Sequence, residues 1–184
     1  MPDDKDAAFL SSDIRHPTSE AAQRAAVAEL ARAWVGLPYY HGQRLRGVGG
    51  DCTFFVLVYE DAGLIPATAI PSYSPQAHLH SEAGVYEQII RRYATPIETP
   101  GIGDVVLYKF GRTFSHGGVI VDAGRWVRSP SPLAGEDRGE GSPATSPIIV
   151  HGDMVAGRIM LAEGDGGRLA DARGRKFFTL WPSG

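Results

Sequence analysis

The spacing of apolar residues divides the chain into a first half with helical periodicity and a second half with short strand-like runs. Thr18 to Glu20 offers capping residues for a first helix, and apolar residues recur at helical spacing from Val27 to Trp34. Gly36 and Pro38 end this predicted helix, since neither residue favours continued helical geometry.

A second apolar helix is predicted from Thr53 to Ala62, directly after the dipeptide Asp51-Cys52. The segment 66–84 that follows contains several Pro, His and Ser residues, so we expect a long ordered loop there. A third helix is predicted from about Val85 to Tyr93.

From Pro100 onwards, the apolar residues form short runs with the length and composition of β-strands. The predicted strands are residues 104–110, 117–121, 148–150, 157–161 and 176–180, with a turn at 111–113. Helices first and strands afterwards indicate an α+β fold, in which N-terminal helices pack on an antiparallel β-sheet.

The length of 184 residues fits a single domain with a substantial core. We interpret residues 1–17 as a loose polar leader and residues 18–184 as that domain. Residues 128–147 are dense in Pro, Ser, Gly and charge, which predicts an inserted surface loop. Its removal would join two short apolar pieces, 124–127 and 148–151, into one strand or hairpin edge.

Charge and cysteine content narrow the classes of function. The formal net charge of −3 gives no overall signature of nucleic-acid or anionic-membrane binding, and no apolar run is long enough to span a bilayer. A single cysteine excludes an intramolecular disulfide and a multi-thiolate zinc cluster. There is no metal-ligand spacing and no phosphate-binding glycine loop, so no metal or other cofactor is predicted.

Cys52 is the first candidate for chemistry. It lies between a glycine-rich turn and the second predicted helix, where the helix dipole and unpaired N–H groups favour the thiolate. The same N–H groups are placed to stabilise the oxyanion of a tetrahedral intermediate. Taken alone, a single cysteine is more often a small buried hydrophobic residue.

His116 strengthens the chemical interpretation. It is predicted to open a strand, and Gly117 and Gly118 beside it leave its ring accessible. A cysteine at a helix N-terminus and a histidine on a facing strand form a thiolate–imidazolium pair without being close in sequence. A strand-edge histidine satisfied by hydrogen bonds is the alternative for His116 alone.

Four short motifs occur in the order found in one enzyme family. Gly-Leu-Pro-Tyr ends at Tyr39, Gly-Asp-Cys-Thr spans 50–53, Pro-x-x-Gly-Asp-Val spans 100–105 and Ser-His-Gly-Gly-Val spans 115–119. In order and spacing they resemble the NlpC-type cell-wall cysteine peptidases, a papain-like family, over about residues 27–121.

The resemblance implies a papain-like α+β fold with the nucleophile at the N-terminus of a helix. It implies that Cys52 is the catalytic nucleophile and His116 the general base. It also places Tyr39 and Thr53 in an oxyanion or substrate-binding group.

In this family, the residue that orients the imidazole lies on the next strand. Direct counting from His116 reaches Arg128, whose guanidinium cannot accept the imidazole N–H. If residues 128–147 are an insertion, the equivalent is His151, which is able to accept it and is followed by a small residue. His151 is therefore predicted, with Asp122, the nearest carboxylate after His116, as the alternative.

Charged residues near the motifs have simpler interpretations. We expect Asp51 and Asp104 to fix loops by side-chain-to-backbone hydrogen bonds. Arg44, Arg46 and Arg112 are interpreted as solvated surface residues, or as contacts for substrate carboxylates if their loops border the cleft.

The segments 71–80, 110–116 and 175–181 resemble the phage and prophage tail-associated branch of the family. This implies peptidoglycan stem peptides as substrate, cleaved at a γ-D-glutamyl–diamino-acid bond, and phage tail proteins as further partners. Nucleic-acid binding and membrane insertion are not expected. The acidic N-terminus carries no run typical of a signal peptide, so we expect synthesis in the cytoplasm and delivery to the cell wall by a virion or tail.

The chain departs from the family pattern in two places. Thr53-Phe54 stands where Ser-Gly is usual, so Phe54 would narrow the site. The second departure is the predicted insertion, which lies just before the predicted orienting histidine. It is interpreted either as a lid over the site or as a loop without a function of its own. Two alternatives stay open, namely a non-catalytic tail-tip protein with a vestigial site and a thiol acyltransferase that uses the same Cys-His pair.

Overall fold

The computed structural model describes residues 19–73, 84–126 and 146–181. The predicted leader at 1–17 and residues 128–145 of the predicted insertion lie outside the described residues, as does most of the predicted loop at 66–84. The division of the chain into leader, domain and insertion stays a prediction.

Among the described residues, α-helices lie where the apolar pattern predicts them. They are α1 (Glu20–Arg32), α2 (Phe54–Asp61) and α3 (Val85–Ile90). Ser19 caps α1, because its hydroxyl accepts a hydrogen bond from the N–H of Ala22. α1 ends before the predicted stop, and Gly36 follows it with a positive φ of 90° that glycine adopts readily. None of these helices is long and apolar enough to cross a membrane.

The second half of the described chain is dominated by one antiparallel sheet. The strands are β1 (Arg44–Leu45), β2 (Gly49–Gly50), β3 (Thr95–Ile97), β4 (Val105–Phe110), β5 (Thr113–Asp122), β6 (Ile148–Asp153), β7 (Arg158–Glu163) and β8 (Arg175–Thr179). β1 and β2 form a small hairpin, and the others form a sheet in the order β3-β8-β4-β5-β6-β7. A short 3-10 helix, Gly167–Asp171, lies between β7 and β8.

The sheet is covered on both faces. Along β4, Val105 and Leu107 belong to the large core shared with the helices, whereas Val106 and Tyr108 belong to a smaller core that includes Leu169 of the 3-10 helix. This alternation follows from the two-residue side-chain period of a strand. The predicted arrangement of helices on an antiparallel sheet is therefore confirmed.

Two features of the sheet differ from the prediction. β5 begins at Thr113, so His116 lies inside this strand rather than at its start. The pattern did not identify β1, β2 or β3, because these short strands consist largely of Gly, Arg, Thr and Pro, without apolar alternation.

Asp104 joins the first helix to the sheet. Its carboxylate accepts hydrogen bonds from Nη1 of Arg24 at 2.8 Å and from the N–H of Gly101 at 2.7 Å. The expectation that Asp104 fixes a loop through a backbone hydrogen bond is confirmed. The resulting frame sets α1 against the start of β4.

Candidate active site

A cavity of about 280 Å³ lies where the segment before α2 meets β5 and β6. Cys52, His116 and His151, the residues predicted to be catalytic, all line it, and so does Tyr39. The fold therefore brings together side chains from distant parts of the chain, although their roles stay predictions.

Asp51 holds the segment that carries Cys52. Its buried carboxylate accepts hydrogen bonds from the N–H of Gly42 at 2.7 Å, from the N–H of Thr53 at 2.9 Å, and from the hydroxyls of Thr53 and Tyr73. A carboxylate taken out of water needs such donors, because an unpaired buried charge is strongly destabilising. The expectation that Asp51 fixes a loop is confirmed.

Strand β6 touches this segment at Gly152. A Cβ atom placed on Gly152 would lie 2.9 Å from the carbonyl carbon of Asp51 and 2.9 Å from the amide nitrogen of Cys52. Any side chain would displace the segment, since a real Cβ atom does not approach backbone atoms this closely. Steric contact with the backbone of Asp51 and Cys52 therefore explains why glycine follows His151.

The sheet register brings His116 and His151 together. Gly118 of β5 pairs with His151 of β6, so His116, two residues earlier in β5, projects from the same face as His151. Nε2 of His116 lies 3.0 Å from Nδ1 of His151. When His116 donates through Nε2, its Nδ1 carries no proton and is able to accept one.

The sulfur of Cys52 lies close to this pair. The N–H groups of Gly117, the residue after His116, and of Cys52 itself lower the pKa of the thiol. The sulfur also lies 3.0 Å from the hydroxyl oxygen of Tyr86. The thiol is thus held between the backbone of β5 and the start of α3.

The Cys52 thiol is neutral at neutral pH. Burial raises its pKa to about 12, with the negative charge of Asp51 as the second cause. The hydroxyl of Tyr86 and the two backbone N–H groups lower the pKa but are outweighed. Helix α2 begins only at Phe54. The expectation that the helix N-terminus favours the thiolate, and with it a thiolate–imidazolium pair, is therefore wrong, because burial outweighs the groups that lower the thiol pKa.

The two histidines are neutral as well. Although His116 is partly exposed at the cavity, burial lowers its pKa to about 3, and the charges of His151 and Arg168 act in the same direction. Burial also lowers the pKa of His151. The charge of Asp153 opposes both shifts without cancelling them. A neutral imidazole beside a neutral thiol is a proton acceptor for that thiol.

The residues predicted for the oxyanion or substrate-binding group have different positions. Tyr39 lines the cavity, and the pKa of its hydroxyl is raised first by burial and then by the charge of nearby Cys52. Thr53 does not belong to the described lining, and its N–H and hydroxyl both donate to Asp51. Both donors of Thr53 are thus engaged by Asp51, and its oxyanion or substrate-binding role stays a prediction.

The alternative orienting residue does not reach the pair. Asp122 is the last residue of β5, it is exposed, and it is paired with Ile148. It is not part of the described lining of the cavity. His151, rather than Asp122, contacts His116.

The arginines considered for substrate carboxylates lie elsewhere. Arg46 forms ion pairs with Glu60 and Asp61, and the described lining of the cavity includes neither it nor Arg44 or Arg112. The cation that does line the cavity is that of Arg168, an exposed residue of the 3-10 helix.

Tyr73, Tyr86, Asp153 and Arg168 are among the lining residues that the sequence patterns did not assign to the site. Asp153 carried a usable signal, because the two-residue period of a strand puts it on the same face as His151. The others lie in segments without apolar periodicity or on short helices. Within the described ranges, no group of three or more His, Cys, Asp and Glu side chains is arranged to hold a metal ion.

No protein-family model matches the chain, and no curated protein matches it. A crystal structure from Staphylococcus aureus subsp. aureus Mu50, described as similar to a lipoprotein of the NLP/P60 family, is 16% identical and superposes with a TM-score of 0.48. The match covers 90% of this chain and 44% of that one, so the chain spans less than half of the matched protein. A likeness of this degree assigns neither a family nor a function.

Proposed function

We propose that the protein is a cysteine peptidase that hydrolyses amide bonds in the stem peptides of bacterial peptidoglycan. The observation that carries the proposal is the convergence of Cys52, His116 and His151 on one cavity, with the two imidazoles 3.0 Å apart. A thiol, a neutral base and a group that orients the base are what acyl transfer to cysteine requires.

The reaction proceeds through a thioester. Sγ of Cys52 attacks the amide carbonyl carbon while Nδ1 of His116 takes the thiol proton. The C–N bond then breaks as His116 gives that proton to the leaving amine. A water molecule attacks the thioester carbonyl, passes a proton to His116, and releases the acid as the S–H bond is restored.

Because both partners rest in their neutral forms, the proton moves during the attack rather than before it. His151 accepts the Nε2–H of His116 and so fixes the tautomer and the ring orientation. With Thr53 engaged by Asp51, the hydroxyl of Tyr39 is the side-chain group that we assign to the oxyanion.

The charges of the cavity suit a peptide with free carboxylates, as murein stem peptides have. Arg168 presents a guanidinium at the cavity, and Asp153 presents a carboxylate to an amino group. Met154 and Val155 add exposed apolar surface at the rim. The γ-D-glutamyl–diamino-acid bond is proposed from the motif resemblance.

Delivery to the cell wall by a phage or prophage tail is part of the proposal. Its support is the resemblance of segments 71–80, 110–116 and 175–181 to the tail-associated branch of the NlpC-type family. Co-purification of the protein with assembled tails from an induced lysogen would support this delivery, and its absence from tails that carry their other components would contradict it.

The activity is tested by digestion of purified diamino-acid peptidoglycan, with products identified by mass spectrometry. We expect cleaved stem peptides from the wild type and none from Cys52→Ala, whose fold is checked by circular dichroism. Asp122→Asn serves as the matched control, since Asp122 is exposed and away from the cavity. Intact muropeptides from a folded wild-type protein would refute the peptidase.

Two other outcomes identify the alternatives. If an added amine appears in the product in place of water, the same Cys-His pair acts as a thiol acyltransferase. If no acyl transfer occurs at all, the non-catalytic tail-tip role gains weight. That role has one observation in its favour, because a deeply buried thiol with a raised pKa is also what an unused cysteine shows.

A further inference from the structure

Tyr86 makes a contact that the proposed reaction does not use. Its hydroxyl oxygen lies 3.0 Å from Sγ of Cys52, and the two side chains are only 8% and 5% exposed. At this distance, the hydroxyl either donates a hydrogen bond to the sulfur or accepts one from the thiol. Which of the two occurs depends on the other neighbours of Tyr86.

A chain of hydroxyl groups leads from Tyr86 to Asp51. The rings of Tyr86 and Tyr73 meet edge to face, with centroids 5.6 Å apart, and the Tyr86 hydroxyl, acting as a donor, lowers the pKa of Tyr73. Tyr73 in turn donates to the carboxylate of Asp51. Because a hydroxyl has one hydrogen, the oxygen of Tyr73 is left as an acceptor for Tyr86.

The hydroxyl hydrogen of Tyr86 therefore has two acceptors, the oxygen of Tyr73 and the sulfur of Cys52. We infer that Tyr86 is a positioning residue for the nucleophile, whose hydroxyl turns to donate to the sulfur as the thiol proton passes to His116. When the S–H bond is restored, the hydroxyl returns to Tyr73. The inference rests on the proposed function only in naming His116 as the base.

The Tyr86 hydroxyl stabilises a negative charge on the sulfur, whereas most of its other surroundings disfavour that charge. Among the described residues, the titratable groups that act on the thiol or share its cavity include Asp51 and Tyr39 before α2, Tyr73 after it, Tyr86 on α3, His116 on β5 and His151 on β6. The carboxylate of Asp51 repels a thiolate at position 52, and burial of the sulfur disfavours any charge on it. A hydrogen bond to the charged sulfur is stronger than one to the neutral thiol, so Tyr86 favours the reactive form.

Tyr86→Phe tests the inference, because it removes the hydroxyl and keeps the ring. The chain has one cysteine, so the rate of alkylation by iodoacetamide is read from the intact mass, at several pH values from 6 to 10. We expect alkylation at each pH to be about tenfold slower in Tyr86→Phe, because one charge-assisted hydrogen bond is lost. Tyr40→Phe, at an exposed tyrosine outside the described cavity lining, should match the wild type.

Alkylation of Tyr86→Phe at the wild-type rate would overturn the inference. Faster alkylation would also overturn it, since Tyr86 would then merely shield the sulfur. If Tyr86→Phe does not fold, 3-fluorotyrosine at position 86 keeps the hydroxyl and makes it a stronger donor. It should speed alkylation, and an unchanged rate would contradict the inference. Because alkylation needs no peptidoglycan, this result is independent of whether the protein digests cell walls.

Discussion

Nε2 of His116 lies 3.0 Å from Nδ1 of His151, across two adjacent strands that are separated in the chain by residues 123–147. The contact does not depend on how many residues lie between the two strands in the chain. However long the connection between β5 and β6, the register that pairs Gly118 with His151 puts the two rings on one face. The partner of His116 is therefore set by strand pairing and not by distance along the sequence.

Replacement of His151 should lower the rate of the chemical step and leave substrate binding little changed. We expect His151→Ala to reduce kcat about 100-fold, because His116 loses the acceptor that fixes its tautomer. His151→Asn should recover part of this loss, since its amide oxygen reaches nearly the same position as Nδ1. Steady-state kinetics on a stem-peptide substrate measure both. Equal activity of the Ala and Asn variants would show that His151 only fills space.

Acid should destabilise the protein through His116. Its folded-state pKa of about 3 lies below the unfolded value of 6.5, so between these pH values the unfolded chain binds a proton that the folded protein does not. The free energy of unfolding is therefore greatest above pH 6.5 and falls as the pH drops, by up to about 1.4 kcal/mol per pH unit for one histidine. Denaturant unfolding from pH 4.5 to 7 measures this slope.

His116→Gln is the matched variant for that measurement, since it removes the titrating group. Its stability should depend less steeply on pH than that of the wild type, with the lowered pKa of His151 accounting for part of what remains. The range above pH 4.5 keeps the titration of most carboxylates out of the comparison. Parallel slopes for the two proteins would contradict the assignment of a buried neutral imidazole at position 116.

Strand alternation and motif order were enough to predict the sheet and the histidine pair. The apolar runs of β4, β5 and β6 have the β-branched content of strands, and His116 and His151 directly flank two of these runs. His151 was reached only because the Pro- and Gly-rich segment before it was set aside as an insertion. The strands depend on local pattern, which a single sequence contains, whereas the pairing of the two histidines was implied by the resemblance to the NlpC-type family.

The environment of the thiol was beyond local pattern. The dipole of a single helix favours the thiolate of Cys52, whereas burial and the charge of Asp51 raise the pKa of the thiol. Tyr73 and Tyr86 reach the sulfur from segments far along the chain, and an aromatic residue on a short helix has the same appearance in sequence as a core residue. Three-dimensional packing, and not residue type, decides these contacts.

Gly152→Ala should damage both stability and activity. The new methyl group would lie 2.9 Å from backbone atoms of Asp51 and Cys52, so β6 and the nucleophile segment must move apart. We expect a loss of about 2 kcal/mol in the free energy of unfolding, as is typical of overpacking. Gly174→Ala is the control, because a Cβ there meets no atom within 4 Å, and its stability should match the wild type within about 0.5 kcal/mol. Chemical denaturation of the three proteins measures the difference.

Arg168→Gln should weaken substrate binding and not the chemical step. The guanidinium lies at the cavity, and its charge lowers the pKa of both His116 and Asp153. Because Arg168 is exposed, water partly screens its attraction for a substrate carboxylate. We expect KM for a stem peptide to rise about fivefold, with kcat nearly constant. The matched control is the same stem peptide in which the carboxylate bound by Arg168 is converted to an amide. For this peptide, wild type and Arg168→Gln should have equal KM. If the variant has a higher KM for both peptides, Arg168 does not bind the carboxylate.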